Sequence, residues 1–266
     1  MTLKILVIGD IMGKAGRKAV AAFLPSLREE YEIDYCIANA ENLAHGKGIT
    51  RTTLKEMRDA GVDLFTSGNH VWAKPEGVVI LQEPDSPLIR PANYPAGTPG
   101  LGAKVITIAT KSILVVNLMG RDFMPTTVDC PFRALDAILE KYKDTPLAGI
   151  IVDVHAEATS EKHAIALYGD GRVSAVVGTH THVPTADERI LPDGTGFQSD
   201  IGMVGVRDTL IGITYESGIK RFLTRMPSHF EIAESGLTVF NSILLEIDPA
   251  TRKTVRIERI QKTIII

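Results

Sequence analysis

Five short apolar runs, each ending at a side chain able to bind a metal, constrain this chain more than any other feature. LKILVIG, from Leu3 to Gly9, is followed by Asp10; YCIANA is followed by Glu41 and Asn42; VDLFTSG is followed by Asn69 and His70. GIIVDV leads to His155, and SAVVGT leads to His180 and His182. Val- and Ile-rich runs of this length, alternating with stretches of helical periodicity, read as strands of an α/β domain. Sheets of that kind gather ligands beyond the carboxyl ends of their strands. The candidate side chains therefore share one edge.

Composition narrows the class. A length of 266 residues suits one or two domains, and the absence of a repeat, low-complexity tract or linker points to a single domain spanning 1–266. Aliphatic residues are plentiful and aromatics make up only 6%, as a sheet covered by helices requires. A net charge of −3 supplies no basic field for a nucleic-acid backbone, so polymer binding is not expected. The two cysteines, Cys36 and Cys130, exclude a disulfide framework and suit a reducing compartment. No stretch has signal-peptide character or membrane-spanning length, so the expected location is cytoplasmic, with no membrane partner. The sequence does not fix the oligomeric state; base rates are compatible with a homo-oligomer.

Along the chain, GRKAVAAFLPSLREEY has helical spacing interrupted by Pro25, which predicts a kink or a shortened helix. Thr50 to Gly61 reads as a helix with a Thr cap and a terminal Gly. From Ala103 the pattern becomes two paired strands, then a helix from Phe132 to Tyr142. ERILPDGTGFQSDI reads as a hairpin turning at Pro192, Asp193 and Gly194, and the tail from Leu237 to Ile260 as another. The expected architecture is βα-type with parallel pairing in the first third and antiparallel strands with helices in the rest. The fold class is α/β: two mixed β-sheets packed face to face and flanked by helices, a four-layer sandwich.

Spacing also sets expectations for the chemistry. His180 and His182 stand two apart at a strand end, so extended backbone would project both rings to one face; Asp153 and His155 share a face by the same rule. Asn69 and His70 are neighbours and should point apart, one coordinating while the other faces substrate. Carboxylate, amide and imidazole donors suit divalent iron, manganese or zinc, and no thiolate cluster is present for a structural zinc site. This many donors favours two metals, which can clamp the attacking and leaving oxygens of a phosphoryl transfer.

The ordered set of Gly-Asp after the first strand, Gly68-Asn69-His70, a lone His155, and Gly-Thr-His-Thr-His ending at His182 resembles the calcineurin-like metallophosphoesterase superfamily. Two departures stand out: Asp10 is followed by Ile11 and Met12 where Asp-x-His is usual, and the second strand ends in Glu41-Asn42 where Gly-Asp-x-x-Asp is usual. Those departures, with ENLAHGKG, SGNHVWAK, RPANYPAGTPG, DVHAEATSEK and GTHTHVPTADERILPDGT, resemble the YmdB-like family of bacterial phosphodiesterases over nearly the whole chain. The resemblance implies the four-layer sandwich and activity on small cyclic nucleotides, especially 2′,3′-cyclic ones. It implies two divalent transition metals, iron first, with manganese and zinc as alternatives. Glu41 would bridge them. Asp10, Asn42 and His182 would complete one site and Asn69, His155 and His180 the other. A metal-bridging hydroxide would attack phosphorus in line, and His70, outside the coordination shell, would stabilise or protonate the departing oxygen.

Taken singly, each residue has a plainer explanation. Asp10 alone fits a turn or cap, Gly68-Asn69-His70 a turn, and His155 a core histidine; the ordered set at five strand ends argues for metal. Gly9, Gly13 and Gly16 do not match the spacing of a dinucleotide fingerprint, and Asp10 would face a pyrophosphate, so that reading is rejected. His45 and Lys47 lie in a Gly-rich loop that either approaches a substrate phosphate or is a plain surface loop. Arg90 and Asn93 fit loop hydrogen bonds better than nucleotide contacts. His163 in a helix-like stretch and His229 at the start of a strand-like run read as structural or exposed. The alternative functions are a phosphomonoesterase or protein phosphatase on the same centre, and a weakly catalytic, metal-dependent nucleotide-binding regulator.

Overall fold

The computed structural model describes residues 2–266. The first third winds as β1 (Leu3–Ile11), α1 (Gly13–Glu30), β2 (Tyr35–Asn39), α2 (Arg51–Asp59), β3 (Leu64–Thr66) and α3 (Pro75–Leu81). Then come β4 (Ala103–Ile108), β5 (Lys111–Met119), α4 (Pro131–Lys141), β6 (Leu147–His155), α5 (Thr159–Gly169) and β7 (Ala175–Thr179). The chain closes with β8 (Arg189–Ile190), β9 (Gly196–Gln198), β10 (Met203–Val206), α6 (Tyr215–Thr224), β11 (Leu237–Ile247) and β12 (Thr254–Ile265).

Two mixed six-stranded sheets result, in the orders β12-β11-β10-β1-β2-β3 and β4-β5-β6-β7-β9-β8. The alternation of β1 explains how they stack. Ile5 and Val7 join Ile113, Val115, Ile151 and Val177 of the second sheet in one core, while Leu6 and Ile8 pack with Ala19, Val20 and Leu24 of α1. A separate core lies under α4 and α5, where Leu135, Ile165 and Ala166 meet Leu114, Val116 and Val152. Strands apolar on both faces are thus buried on both faces, which yields the helix–sheet–sheet–helix sandwich.

Three expectations need correction. Parallel pairing is not confined to the first third, because β5, β6, β7 and β9 are also parallel neighbours; α4 and α5 provide the crossovers. Of the two outcomes expected of Pro25, shortening does not occur, since α1 runs through it to Glu30: burial of Leu24 and Leu27 offsets a proline penalty of about 3 kcal/mol. His229 begins no strand but sits in the loop after α6. The Thr50 cap forms as read, accepting from the Thr53 amide with Gly61 at φ 108° beyond the last turn. Gly9 and Gly16 have a packing reason: a Cβ on either would collide with the carbonyls of Gly202 and Val204.

Candidate metal centre

The carboxyl ends of β1, β2 and β3 in one sheet and of β6 and β7 in the other meet at one place. Asp10 is the penultimate residue of β1, Glu41 and Asn42 lie two and three residues beyond β2, and Asn69 and His70 beyond β3. His155 is the final residue of β6, and His180 follows β7 directly. Asp10, Glu41, Asn42 and His155 are each 1% exposed or less.

Donor atoms converge around His155. Its Nε2 lies 3.1 Å from Glu41 Oε2, 3.2 Å from Asn69 Oδ1 and 3.0 Å from His180 Nδ1. Single ligand atoms of Glu41, His155 and His180 all fall within 4.8 Å of one another. A second group adjoins it: Asn42 Nδ2 is 3.2 Å from His182 Nε2, and His70 Nδ1 is 3.0 Å from Asn42 Oδ1 and 3.1 Å from Glu41 Oε1. His70 thus stands as near to Glu41 as His155 does. Asp10 Oδ2 accepts from the His180 amide at 3.1 Å, while its buried Oδ1 has no hydrogen-bond partner among the described residues.

Each imidazole is oriented by its other nitrogen, as metal-binding histidines are. His182 Nδ1 donates to the Ile211 carbonyl at 3.0 Å, leaving Nε2 as the inward acceptor. His180 Nε2 faces Glu157 Oε2 at 3.2 Å, leaving Nδ1 inward. His155 Nδ1 donates to Thr179 Oγ1 at 3.0 Å, and that hydroxyl donates to Asp153 Oδ1 at 2.8 Å. Asp153 also accepts from the Thr66 hydroxyl and from Asn39 Nδ2. Asn39 Oδ1 in turn accepts from the Glu41 amide at 3.1 Å, so Asp153, which shares a strand face with His155, supports the centre from beneath.

The two histidines after β7 are not extended. His180 has φ 95° and His182 φ 65°, so the alternation expected of a strand does not apply; a turn brings both rings inward. Thr181, between them, donates to Asp200 Oδ2 from its amide (3.1 Å) and its hydroxyl (2.6 Å). Buried Lys162 of α5 reaches the same oxygen at 2.8 Å, and the Gly202 amide donates to Asp200 Oδ1 at 2.8 Å.

Electrostatics show what a cation would replace. Burial disfavours charge on His155, yet Glu41, Asp10 and Asp153 outweigh it and push the imidazole up to about 9. Burial likewise opposes the Glu41 carboxylate, but His155 and His70 hold it well below the usual range. Burial pushes Asp10 up against the pull of His182 and His155. Burial, then the charge of His155, lowers His180 to about 3, so its lone pair is free at neutral pH. Without a metal, the extra proton on His155 is the positive charge among Glu41, Asn69 and His180. A buried set of carboxylates, amide oxygens and imidazoles with an orphaned carboxylate oxygen fits divalent transition metals. Gly68 completes the fit, because a Cβ there would overlap both His155 and Glu41.

A cavity of about 630 Å³ opens from the centre, lined by Glu41, Asn42, His70, His180 and His182 and also by His45 and Lys47. Lys74 and Glu157 line it too; they lie within SGNHVWAK and DVHAEATSEK, but nothing in those strings marked them as site residues. Arg90 and Asn93 lie elsewhere and serve loop structure: Arg90 donates to the carbonyls of Pro91, Thr98 and Pro99, and Asn93 to those of Met119 and Asp129. His163 is held by Asp187 and Ser199. His229 lines the cavity.

The sequence of residues 6–260 matches the family model described as YmdB-like protein. The chain belongs to the YmdB-like family. It is 46% identical over 258 residues to a Bacillus subtilis protein named 2′,3′-cyclic-nucleotide 2′-phosphodiesterase, covering 97% of this chain and 96% of that one. It is similar to the crystal structure of a novel phosphatase from Mycoplasma pneumoniae, with a TM-score of 0.92 and 34% identity over 99% of this chain and 94% of that one. The fold alone extends to the NAD nucleotidase of Haemophilus influenzae, at TM-score 0.60 and 17% identity, covering 100% of this chain and 56% of that one. The Mycoplasma pneumoniae structure shares this helix–sheet–sheet–helix sandwich, and the named relatives are called phosphodiesterases and phosphatases.

Proposed function

We propose that this protein hydrolyses small cyclic nucleotides, 2′,3′-cyclic ones above all, as a phosphodiesterase with two divalent transition-metal ions. The observation that carries this reading is the convergence of Glu41, Asn69, His155 and His180 on one buried point beside the cavity that His70 lines; the name of the Bacillus subtilis relative supports the substrate class. Glu41 would serve both ions, as the family pattern implies; its Oε2 faces His155, one of the proposed ligands, and its Oε1 is held by His70. Asp10, Asn42 and His182 would hold one ion, and Asn69, His155 and His180 the other. Iron leads among the candidates, followed by manganese and zinc. When bound, the ions supply an activated water and neutralise charge on the phosphate oxygens.

The chain's own residues do the rest. His70 keeps Nδ1 on Glu41 and Asn42, which turns Nε2 toward the cavity to stabilise the phosphate or protonate the departing ribose oxygen. His45, Lys47 and Lys74, which line the cavity, attract the anionic end of the substrate. The chain acts as one domain over 1–266, in the cytoplasm, where its two free cysteines stay reduced.

A phosphomonoesterase is the second reading. Lys47 and Lys74 together line the cavity, giving a dianionic monoester more positive charge than the motifs alone suggested. Metal-loaded protein should be assayed side by side on a 2′,3′-cyclic nucleotide, a nucleoside monophosphate and a phosphopeptide. The cyclic diester should give the highest kcat/KM. A higher value for either monoester reverses the assignment, and stoichiometric nucleotide binding without turnover makes the protein a binding module.

A further inference from the structure

The cavity lining is of two kinds. One is the donors and His70; the other is mainly apolar, built from Met12, Ile211, Ile213, Phe230 and Ile232, with Ser228 and His229 among them. All but Met12 come from residues 207–236, a segment between β10 and β11 that adds no strand to either sheet.

This apolar lining is a constructed wall. Ile213 and Ile232 bridge, the Thr214 amide donates to the Glu231 carbonyl at 2.8 Å, and the Ala233 amide donates to the Gly212 carbonyl at 3.0 Å. Close packing joins it to its surroundings: a Cβ on Gly46 would lie 2.5 Å from Ile232 Cδ1, and one on Gly212 2.5 Å from Met12 Cγ. The Ile211 carbonyl that accepts from His182 Nδ1 ties the wall to the donor centre. Phe230 is steadied by the Arg221 guanidinium, 5.5 Å over its ring. Ser228, also lining the cavity, has a buried Oγ with no hydrogen-bond partner among the described residues. The unpaired hydroxyl becomes available to a ligand once the side chain rotates into the cavity it lines.

We propose that residues 211–232 form a nucleobase subsite, with Phe230 as the stacking surface and Ser228 as its polar contact, extending the cyclic-nucleotide reading on which it rests. Phosphate needs the cationic, metal-binding residues, whereas a base presents flat apolar faces with a few polar edge atoms, matching the apolar residues of the lining. A single rotatable hydroxyl both donates and accepts, so it satisfies any base edge and selects none. The subsite therefore demands a base but tolerates all four.

The test compares nucleoside 2′,3′-cyclic phosphates with glycerol 1,2-cyclic phosphate, which offers the same strained diester without a base. Manganese-loaded wild type should prefer the nucleotides by about 10- to 100-fold in kcat/KM, as expected of one base stacked on one ring, with the four bases within about tenfold of each other. Phe230→Ala should collapse that preference mainly through KM, and Phe230→Leu, which keeps bulk in the wall, should reduce it as well. Equal use of the baseless substrate by wild type, or an unchanged preference in both variants, overturns the subsite. Adenosine binding followed by NMR keeps the two ideas separable. If neither cyclic phosphate is turned over, the activity is wrong; adenosine shifts that Phe230→Ala abolishes still support the subsite, and the absence of adenosine shifts in wild type overturns it.

Discussion

Lys162→Met probes how the fold holds two histidines in a conformation that side chains rarely adopt. Lys162 Nζ and Asp200 Oδ2 form an ion pair at 2.8 Å with both side chains 2% exposed or less. Asp200 anchors Thr181 twice, so the pair secures the turn that keeps His180 and His182 at positive φ. Removing the ammonium leaves a buried carboxylate with three neutral donors, from Thr181 and Gly202. Breaking a buried pair from one side costs about 3–5 kcal/mol, or roughly 10 °C in Tm for a chain of this size. Loss of a group that orients metal ligands lowers metal affinity by about 10- to 100-fold. Urea titration of metal-free protein and calorimetric metal titration of the refolded variant read the two effects. Lys162→Met/Asp200→Asn should recover stability relative to the single variant, because no uncompensated charge stays buried. A loss below about 1 kcal/mol in Lys162→Met, with unchanged metal affinity, would refute the argument.

Glu41→Ala should be the most damaging change among the proposed ligands, since it disturbs both ions; two retained metals with near-normal turnover would contradict its shared position. His70→Ala should keep its metals and fold yet lose about 10²–10⁴-fold in turnover of cyclic nucleotides, with a smaller loss for a substrate whose leaving group is an acidic phenol. Equal losses on both substrates, or lost metal, would rule out the acid role. Gly68→Ala should fold with an overpacking cost of about 1–3 kcal/mol but bind metal weakly, because the new methyl overlaps His155 and Glu41; calorimetry with manganese checks this. His155 is raised from 6.5 to about 9, so its stabilisation of the metal-free protein is fully present below pH 6.5 and is lost as pH rises through about 9. That amounts to about 3 kcal/mol at 1.36 per pH unit. Metal, replacing the proton, should remove this alkaline loss and release protons on binding, which urea midpoints across pH and a pH-stat titration can measure.

The sequence by itself determined the five strands that end at donors and the donor types that close them. Strand alternation and helical spacing are local, so β1, β2, the Thr50-capped α2 and the hairpin tail follow from residues near one another in the chain. The family was legible for a related reason: Glu41-Asn42, Gly68-Asn69-His70 and Gly-Thr-His-Thr-His keep their spacing within single turns. Tertiary structure decided everything that depends on distant segments meeting. Asn39, Thr66, Asp153 and Thr179 come from four strands of two sheets, and only the stacking of those sheets joins them beneath His155. The left-handed turn at His180 and His182 is held by Lys162 and Asp200 from α5 and the loop after β9, so no local rule could replace the extended backbone expected there. Lys74, Ser228 and Phe230 reach the cavity on loops whose course is set by packing against Gly48, Gly46 and Met12. Local periodicity records which face of an element is buried; it carries no information about which distant element will cover that face.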